Sequence, residues 1–154
     1  MNLQDAVKIA SQEMSKYSQL EGWVFRFDSG RNRFGYCNSR RHVISLSEAL
    51  THLNAEKDVL DTIRHEIAHA LVGPKNGHNR VWKQMCMTVG ARPSRCYDSQ
   101  NVVAVKAKWV AVCPSCGGST PRHKRRTAAC GKCCNAHHGG KYTDRFKLIY
   151  KPNA

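Results

Sequence analysis

The stretch "RHEIAHALVGPKNGHNRVW", residues 64–82, contains two histidines four positions apart, with a glutamate directly after the first of them. On a helix that turns about 100° per residue, His65 and His69 lie roughly 40° apart, and Glu66 lies roughly 60° from His69. The apolar residues around this stretch share the opposite side of the helix: Leu60, Ile63, Ile67 and Leu71. The pattern predicts an amphipathic helix that buries its apolar side and turns both histidines toward a cleft.

Two histidines one helical turn apart suit a zinc ion, and a glutamate beside them can reach a water molecule at the metal. A catalytic zinc usually takes three protein ligands and keeps a fourth position for water. The glycines and the proline of residues 73–77 can fold the chain back, which would return His78 to the metal. We therefore predict the two helical histidines and His78 as zinc ligands, with Glu66 as the general base. Asp98 remains an alternative third ligand.

A second group of metal-ligating residues lies near the end of the sequence, in the pattern "CPSCGG…ACGKCC". The pattern contains two C-x-x-C pairs separated by thirteen residues: Cys113 and Cys116, then Cys130 and Cys133. Two such pairs typically hold one structural zinc in a closed tetrahedral site, with the glycines after Cys116 and Cys130 suiting tight turns. The spacing favours Cys133 as the fourth ligand, although Cys134 could take its place.

Positive charge is concentrated in the last part of the sequence. Residues 1–91 carry 12 Lys+Arg against 9 Asp+Glu, a net of +3, whereas residues 92–154 carry 13 against 2, a net of +11. Such a basic block favours a polyanionic partner, nucleic acid above all. Four cations between the cysteine pairs are predicted to contact DNA phosphates without reading the base sequence: Arg122, Lys124, Arg125 and Arg126.

The composition predicts a cytoplasmic protein. Mean hydropathy is -0.56, and no run approaches the ~18 apolar residues that a membrane-spanning helix needs. The first residues lack the apolar core of a signal peptide. In the cytoplasm, the eight cysteines are expected to bind metal or stay reduced instead of forming disulfides. We therefore expect no membrane partner and, from the charge, an association with DNA or the nucleoid.

The sequence before the histidine helix predicts one helix and a small sheet. Apolar spacing indicates a helix over residues 3–20, and β-rich runs indicate three strands of an antiparallel sheet in "GWVFRFD", "RFGYCN" and "HVISLS". Ser45 and Glu48 are spaced as the capping box of a short helix. Asn54 is predicted to cap the histidine helix, and Asn79 or a neighbouring residue is predicted to start the helix after it. The predicted fold class is therefore α+β.

These segments together resemble a known family. "WVFRFD…RFGYCN…HVISLS", "DTIRHEIAHALVG…GHNRVW" and "GARPSRCYD" resemble the SprT-like (Spartan-type) zinc metallopeptidases over most of residues 20–98. The resemblance implies a minimal zincin-like domain over residues 1–98, a connector over 99–108 and a small β zinc ribbon over 109–150. In relatives, a glycine often follows the third ligand histidine, and Asn79 stands there in this sequence.

For the studied members of that family, the resemblance implies proteolysis of proteins attached to DNA. We therefore expect a zinc-dependent endopeptidase with one catalytic and one structural zinc, whose partners are DNA and protein substrates bound to it. Two other interpretations stay open: a nucleic-acid-binding zinc protein with a structural or regulatory zincin domain, and a zinc hydrolase of non-peptide amides. Glu66 argues against the first of these, because a structural metal site needs no base.

Overall fold

The computed structural model describes residues 1–95 and 102–154, and the chain divides into two compact units, Met1–Val105 and Lys106–Ala154. Val102 and Val105 pack with the core of the first unit, so part of the segment predicted as a connector belongs to that unit. Asp98, the alternative zinc ligand, lies outside the described residues. Among the described residues, no helix is long and apolar enough to cross a membrane.

Over its described residues, the first unit contains four α-helices, a short 3-10 helix and three strands, which confirms the predicted α+β class. In chain order these are α1 Leu3–Ser15, the 3-10 helix Ser18–Leu20, β1 Val24–Asp28, β2 Gly35–Asn38, β3 Val43–Ser47, α2 Glu48–Leu53, α3 Glu56–Val72 and α4 Arg80–Val89. The predicted first helix is thus shorter than expected and is followed by a separate 3-10 turn. Each predicted strand is present.

The sheet has the order β1-β3-β2, with β3 in the centre. β2 pairs antiparallel with β3, but β1 pairs parallel with it, so the prediction of a wholly antiparallel sheet was wrong. All five residues of β3 are buried, whereas β1 and β2 are only half-buried or exposed. The strand that is buried along its whole length therefore takes the central position. The chain reverses direction after β1 and again after β2, so β1 runs in the same direction as β3.

The short helix α2 is capped by a different serine from the predicted one. Ser47 precedes the helix, and its hydroxyl accepts a hydrogen bond from the Leu50 amide at 3.1 Å. Ser45 lies inside β3 and donates instead to the Asp28 carboxylate on β1, at 2.7 Å. Ser45 has the right spacing to Glu48 for a capping box, but it lies within β3, which continues past it and pairs with both β1 and β2.

The histidine helix α3 begins without the predicted side-chain cap. Ala55 is its N-cap, and no side chain there accepts a helix amide. The side chain of Asn54 instead binds the backbone of Val103, donating to its carbonyl at 3.0 Å and accepting from its amide at 2.6 Å. The prediction that Asn54 caps α3 was wrong, because the side-chain amide of Asn54 forms its hydrogen bonds with a segment that is distant in sequence. Asn79 is confirmed as the cap of α4, since its side chain accepts from the Trp82 amide at 3.1 Å.

The core of the first unit lies around α3, which contacts α1, α4 and the sheet. Ile63 and Ile67 of its predicted apolar side are fully buried, while Leu60 and Leu71 at the margins are half-buried. The histidine side of the helix therefore faces away from this core and toward β2 and the turn before α4. This arrangement positions the candidate site.

The second unit is a three-stranded antiparallel sheet with one helix. Its elements are β4 Trp109–Val112, β5 Ser119–Arg122, α5 Gly131–His137, a 3-10 helix Asp144–Phe146 and β6 Ile149–Pro152, with the sheet order β5-β4-β6. The core is small and contains Phe146 and three of the cysteines. The first cysteine pair follows β4, but the second starts a helix: Cys130 is the N-cap of α5 and Cys133 lies within it. The expectation of two similar tight turns was therefore wrong for the second pair.

Candidate metal centres

Three histidines come together where α3 ends and the chain turns back toward α4. Gly73 ends α3 at φ +78°, and Gly77 adopts φ +48°, both in the region that favours glycine. The resulting turn places the Nε2 atom of His78 3.1 Å from that of His69 and 3.4 Å from that of His65. The structure therefore brings together all three histidines that the sequence predicted as ligands.

These nitrogen positions fit a zinc ion. In a tetrahedral site with Zn–N bonds of about 2.0–2.1 Å, two ligand nitrogens lie about 3.3–3.4 Å apart. The ligand atoms of the three residues all lie within 4.8 Å of one another. Burial, followed by the neighbouring histidines, lowers the pKa of His65 and of His69 to about 4. At neutral pH their imidazoles are therefore uncharged, which is the form that binds metal.

Glu66 lies beside this group, on α3, and is almost entirely buried, with 6% of its surface exposed. Strand β2 passes so close that a Cβ atom on Gly35 would lie 2.5 Å from Glu66 Oε1 and 2.8 Å from Thr62 Cγ2. Burial raises the pKa of Glu66 to about 8, against an opposing influence of Arg33. A cation at the histidines would lower that pKa, because an opposite charge favours the carboxylate.

The histidines and Glu66 line a cleft of about 640 Å³. Its walls are α3, strand β2 with the residues on either side of it, the turn before α4, and residues 92–95. Residues 92–95 are held against α3 by Arg92, which binds the carboxylate of Asp61. The Arg92 backbone amide donates to one carboxylate oxygen at 2.9 Å, and its charged side chain donates through Nε to the other at 3.0 Å. One wall of the cleft is therefore tied to α3 through Asp61.

Several residues that shape this cleft are not among those predicted from the sequence. Gly35 carried one signal, since a glycine inside a strand often marks a close approach of another group. No sequence pattern indicated the roles of Asp61 and Arg92, because these two residues pair across 31 positions of the sequence. Trp82 was part of the motif, but nothing in the spacing showed that its ring lies against the histidines.

Four cysteines form a second metal-binding group in the second unit. Their sulfur atoms lie within 4.8 Å of one another, and the Cys113–Cys133 and Cys116–Cys130 separations are both 3.8 Å. A tetrahedral site with Zn–S bonds of about 2.3 Å separates its sulfurs by about 3.8 Å. Cys134 is outside the group and packs in the core of the unit. Cys133 therefore completes the set that fits zinc, and the alternative is not needed.

The four predicted phosphate-contacting cations lie in one region of the second unit. Arg122 ends β5, and Lys124, Arg125 and Arg126 follow in the loop before α5; all four side chains are exposed. The Arg125 guanidinium lies over the Trp109 ring, 4.5 Å from its centroid. The loop therefore presents clustered positive charge to solvent, with one arginine held in place by an aromatic ring.

Comparison with known proteins agrees with this geometry. The SprT-like family model matches residues 3–106, which include α3, the histidine group and the cleft. No curated protein matches the chain. The match covers more than half of the sequence, and it confirms the resemblance first indicated by the motifs. The chain belongs to the SprT-like family.

Proposed function

We propose that the protein is a zinc-dependent endopeptidase that acts on proteins bound or crosslinked to DNA. The observation that carries the peptidase part is the placement of three histidine Nε2 atoms at zinc spacing beside the buried Glu66. Family membership supports it, since a SprT-like domain suggests a metallopeptidase. The DNA part is supported by the basic second unit.

The chemistry follows from the residues of the cleft. Zinc, when bound, supplies a Lewis acid that makes water more acidic and polarises a carbonyl group. His65, His69 and His78 would hold it and leave one side open toward the cleft. The Glu66 carboxylate can accept a proton from the attacking water and then deliver it to the leaving amine. Burial of Glu66 between α3 and β2 keeps the carboxylate at one position beside the three histidines.

The second unit would supply a structural zinc site and a DNA contact. Four thiolates without an open position suit a structural zinc, and in a unit with so small a core the metal contributes folding free energy. Zinc there would fix the loop that carries Arg122, Lys124, Arg125 and Arg126. We propose that this loop binds DNA phosphates and keeps the peptidase near its substrates, so that each chain takes two zinc ions in all.

The test is a proteolysis assay with a protein crosslinked to DNA as the substrate. Wild-type protein with zinc should produce fragments, while Glu66→Gln protein should retain zinc and lose about 10²–10⁴-fold in rate. The same substrate protein without DNA should be cut more slowly by the wild type. If wild-type and Glu66→Gln proteins bind DNA equally and neither produces fragments, the chain is instead a nucleic-acid-binding zinc protein.

A further inference from the structure

One indole ring contacts all three histidines of the candidate site. The centroid of the Trp82 ring lies 4.7 Å from that of His65, 5.0 Å from that of His69 and 4.5 Å from that of His78. The His69 ring is stacked on it at 25°, while the other two meet it at 66° and 80°. Trp82 is completely buried. A single rigid side chain therefore forms the floor beneath the three imidazoles.

The usual means of orienting zinc-binding histidines is not found at this site. In most zinc sites, each histidine donates its second ring N–H to a carboxylate or a carbonyl, which fixes both the tautomer and the ring orientation. Across residues 1–95 and 102–154, the only hydrogen bonds to these three imidazoles join their Nε2 atoms to one another. Within the described part of the chain, ring packing is therefore the contact that can orient these imidazoles.

The part of the chain that the structure describes also offers the indole no hydrogen bond of its own. Its Nε1 atom is buried and has no hydrogen-bond partner among the described residues. The backbone of Trp82, in contrast, is held in place, because its amide donates a hydrogen bond to the side chain of Asn79, the residue directly after His78. The turn that delivers the third histidine thus also delivers the ring beneath it. The side chain of Trp82 therefore contributes ring contacts to the three histidines.

We propose that Trp82 is a positioning residue that orients the three metal-binding histidines by ring packing, in place of hydrogen bonds to their second nitrogens. The inference rests on the proposed zinc site and adds a residue that does not itself touch the metal. Packing restricts the rotation of all three rings at once, so that the nitrogens converge before metal arrives. Loss of the hydrogen-bonded partners that orient zinc-binding histidines typically weakens metal affinity by about 10–100-fold, and we expect a loss of the same order when the ring of Trp82 is removed.

The test compares zinc affinity in the full chain after two substitutions of Trp82. Trp82→Leu removes the ring but stays apolar, whereas Trp82→Phe keeps a ring and removes an N–H that has no hydrogen-bond partner in residues 1–95 and 102–154. The protein is first loaded with one equivalent of zinc, which the cysteine site takes, and the second dissociation constant is then measured against a chromophoric chelator. We expect Trp82→Leu to raise this constant at least 10-fold and Trp82→Phe to stay within about 3-fold of wild type.

Val89→Ala is the matched control, because Val89 is a buried residue of the same helix α4 and makes no ring contact with the histidines. It should reduce stability yet leave zinc affinity unchanged. Equal affinities in wild-type and Trp82→Leu proteins, or equal losses in Trp82→Leu and Val89→Ala proteins, would overturn the positioning role. A wild-type chain that takes no second zinc would overturn the proposed catalytic centre as well, which separates the two failures.

A second measurement covers the case in which Trp82→Leu does not fold. Zinc binding at the histidines should change the fluorescence of wild-type protein, because a divalent cation then lies close to the rings that pack on Trp82. The change should disappear in Trp82→Phe, whose remaining tryptophans are Trp23 and Trp109. If zinc binds at this site and leaves the emission of Trp82 unaltered, the rings do not rest on the indole and the inference fails.

Discussion

At the scale of single residues, the candidate site depends on one position where a side chain would not fit. A Cβ atom on Gly35 would lie 2.5 Å from Glu66 Oε1 and 2.8 Å from Thr62 Cγ2, both distances that require one group to move. The absence of a side chain at Gly35 lets β2 approach α3 and bury Glu66. The position of the proposed general base is thus set from outside its own helix.

We predict that Gly35→Ala lowers the free energy of unfolding by about 1–3 kcal/mol, as for other overpacked interiors. It should also reduce peptidase activity by displacing Glu66, with zinc affinity unchanged. Gly131→Ala is the control, since a Cβ there meets nothing within 4 Å. Chemical denaturation of both variants measures the difference; equal stabilities would show that β2 and α3 are less closely packed than described.

The third zinc ligand is a residue-scale question that substitution answers. We predict that His78→Ala weakens zinc binding at the histidine site, because only two of the three nitrogen ligands remain. Asp98→Ala, which removes the other candidate, should leave zinc content unchanged. Zinc content after dialysis, measured by elemental analysis, distinguishes the two, and the opposite result would assign the third ligand to Asp98.

At the scale of elements, α1 and α3 are joined by an ion pair. Arg64 donates through Nε and Nη2 to the two carboxylate oxygens of Glu13, at 2.9 and 3.3 Å. Burial raises the pKa of Glu13, but hydrogen bonds and charge from Arg64 and Lys16 outweigh burial and hold the pKa below its usual value. Stability from this carboxylate is therefore present above its unfolded-state pKa and is lost as pH falls through the lower folded value.

We predict that Glu13→Gln lowers the free energy of unfolding by about 1–3 kcal/mol at neutral pH. The variant should also lose less stability than wild type when the pH falls from about 5 to about 3, since it has no carboxylate to protonate. Denaturation curves across this range measure both effects. Glu21→Gln, at an exposed position, should match wild type. Parallel curves for wild-type and Glu13→Gln proteins would contradict this role for the ion pair.

Helix boundaries at the site were predictable from sequence because their signals are local. Gly73 ends α3 and Asn79 caps α4, and each acts within a few residues of its own position. The direction of β1 and the partner of Asn54 were not predictable, since both depend on residues distant in sequence that meet only in the fold. The spacing of the ligands in the sequence likewise predicted the two metal-binding groups. The close approach of Gly35 to Glu66 was indicated only by the presence of a glycine inside a strand.

At the scale of the whole molecule, the chain combines a cleft-bearing unit with a basic unit. We predict that neutralising Arg122, Lys124, Arg125 and Arg126 to Gln weakens binding to different DNA sequences about equally, because phosphate contacts carry no base information. If about four phosphates of single-stranded DNA are contacted, log K of wild type should fall with log salt at a slope near -3, and the variant's slope should be flatter.

Fluorescence anisotropy at several salt concentrations measures these slopes. Neutralising four exposed lysines of the first unit is the control with the same change in charge: Lys8, Lys57, Lys75 and Lys83. That control should retain most of the wild-type affinity and slope. If both sets of substitutions weaken binding equally, net charge and not the loop of the second unit determines DNA affinity.

The central claim is that this chain holds zinc at three histidines beside a buried glutamate. Anomalous X-ray scattering at the zinc edge, from crystals of zinc-loaded protein, tests it most directly. We predict two peaks per chain, one about 2.0–2.1 Å from the Nε2 atoms of His65, His69 and His78, and one about 2.3 Å from the four cysteine sulfurs. A zinc-loaded crystal with a peak at the cysteines and none at the histidines would contradict the account.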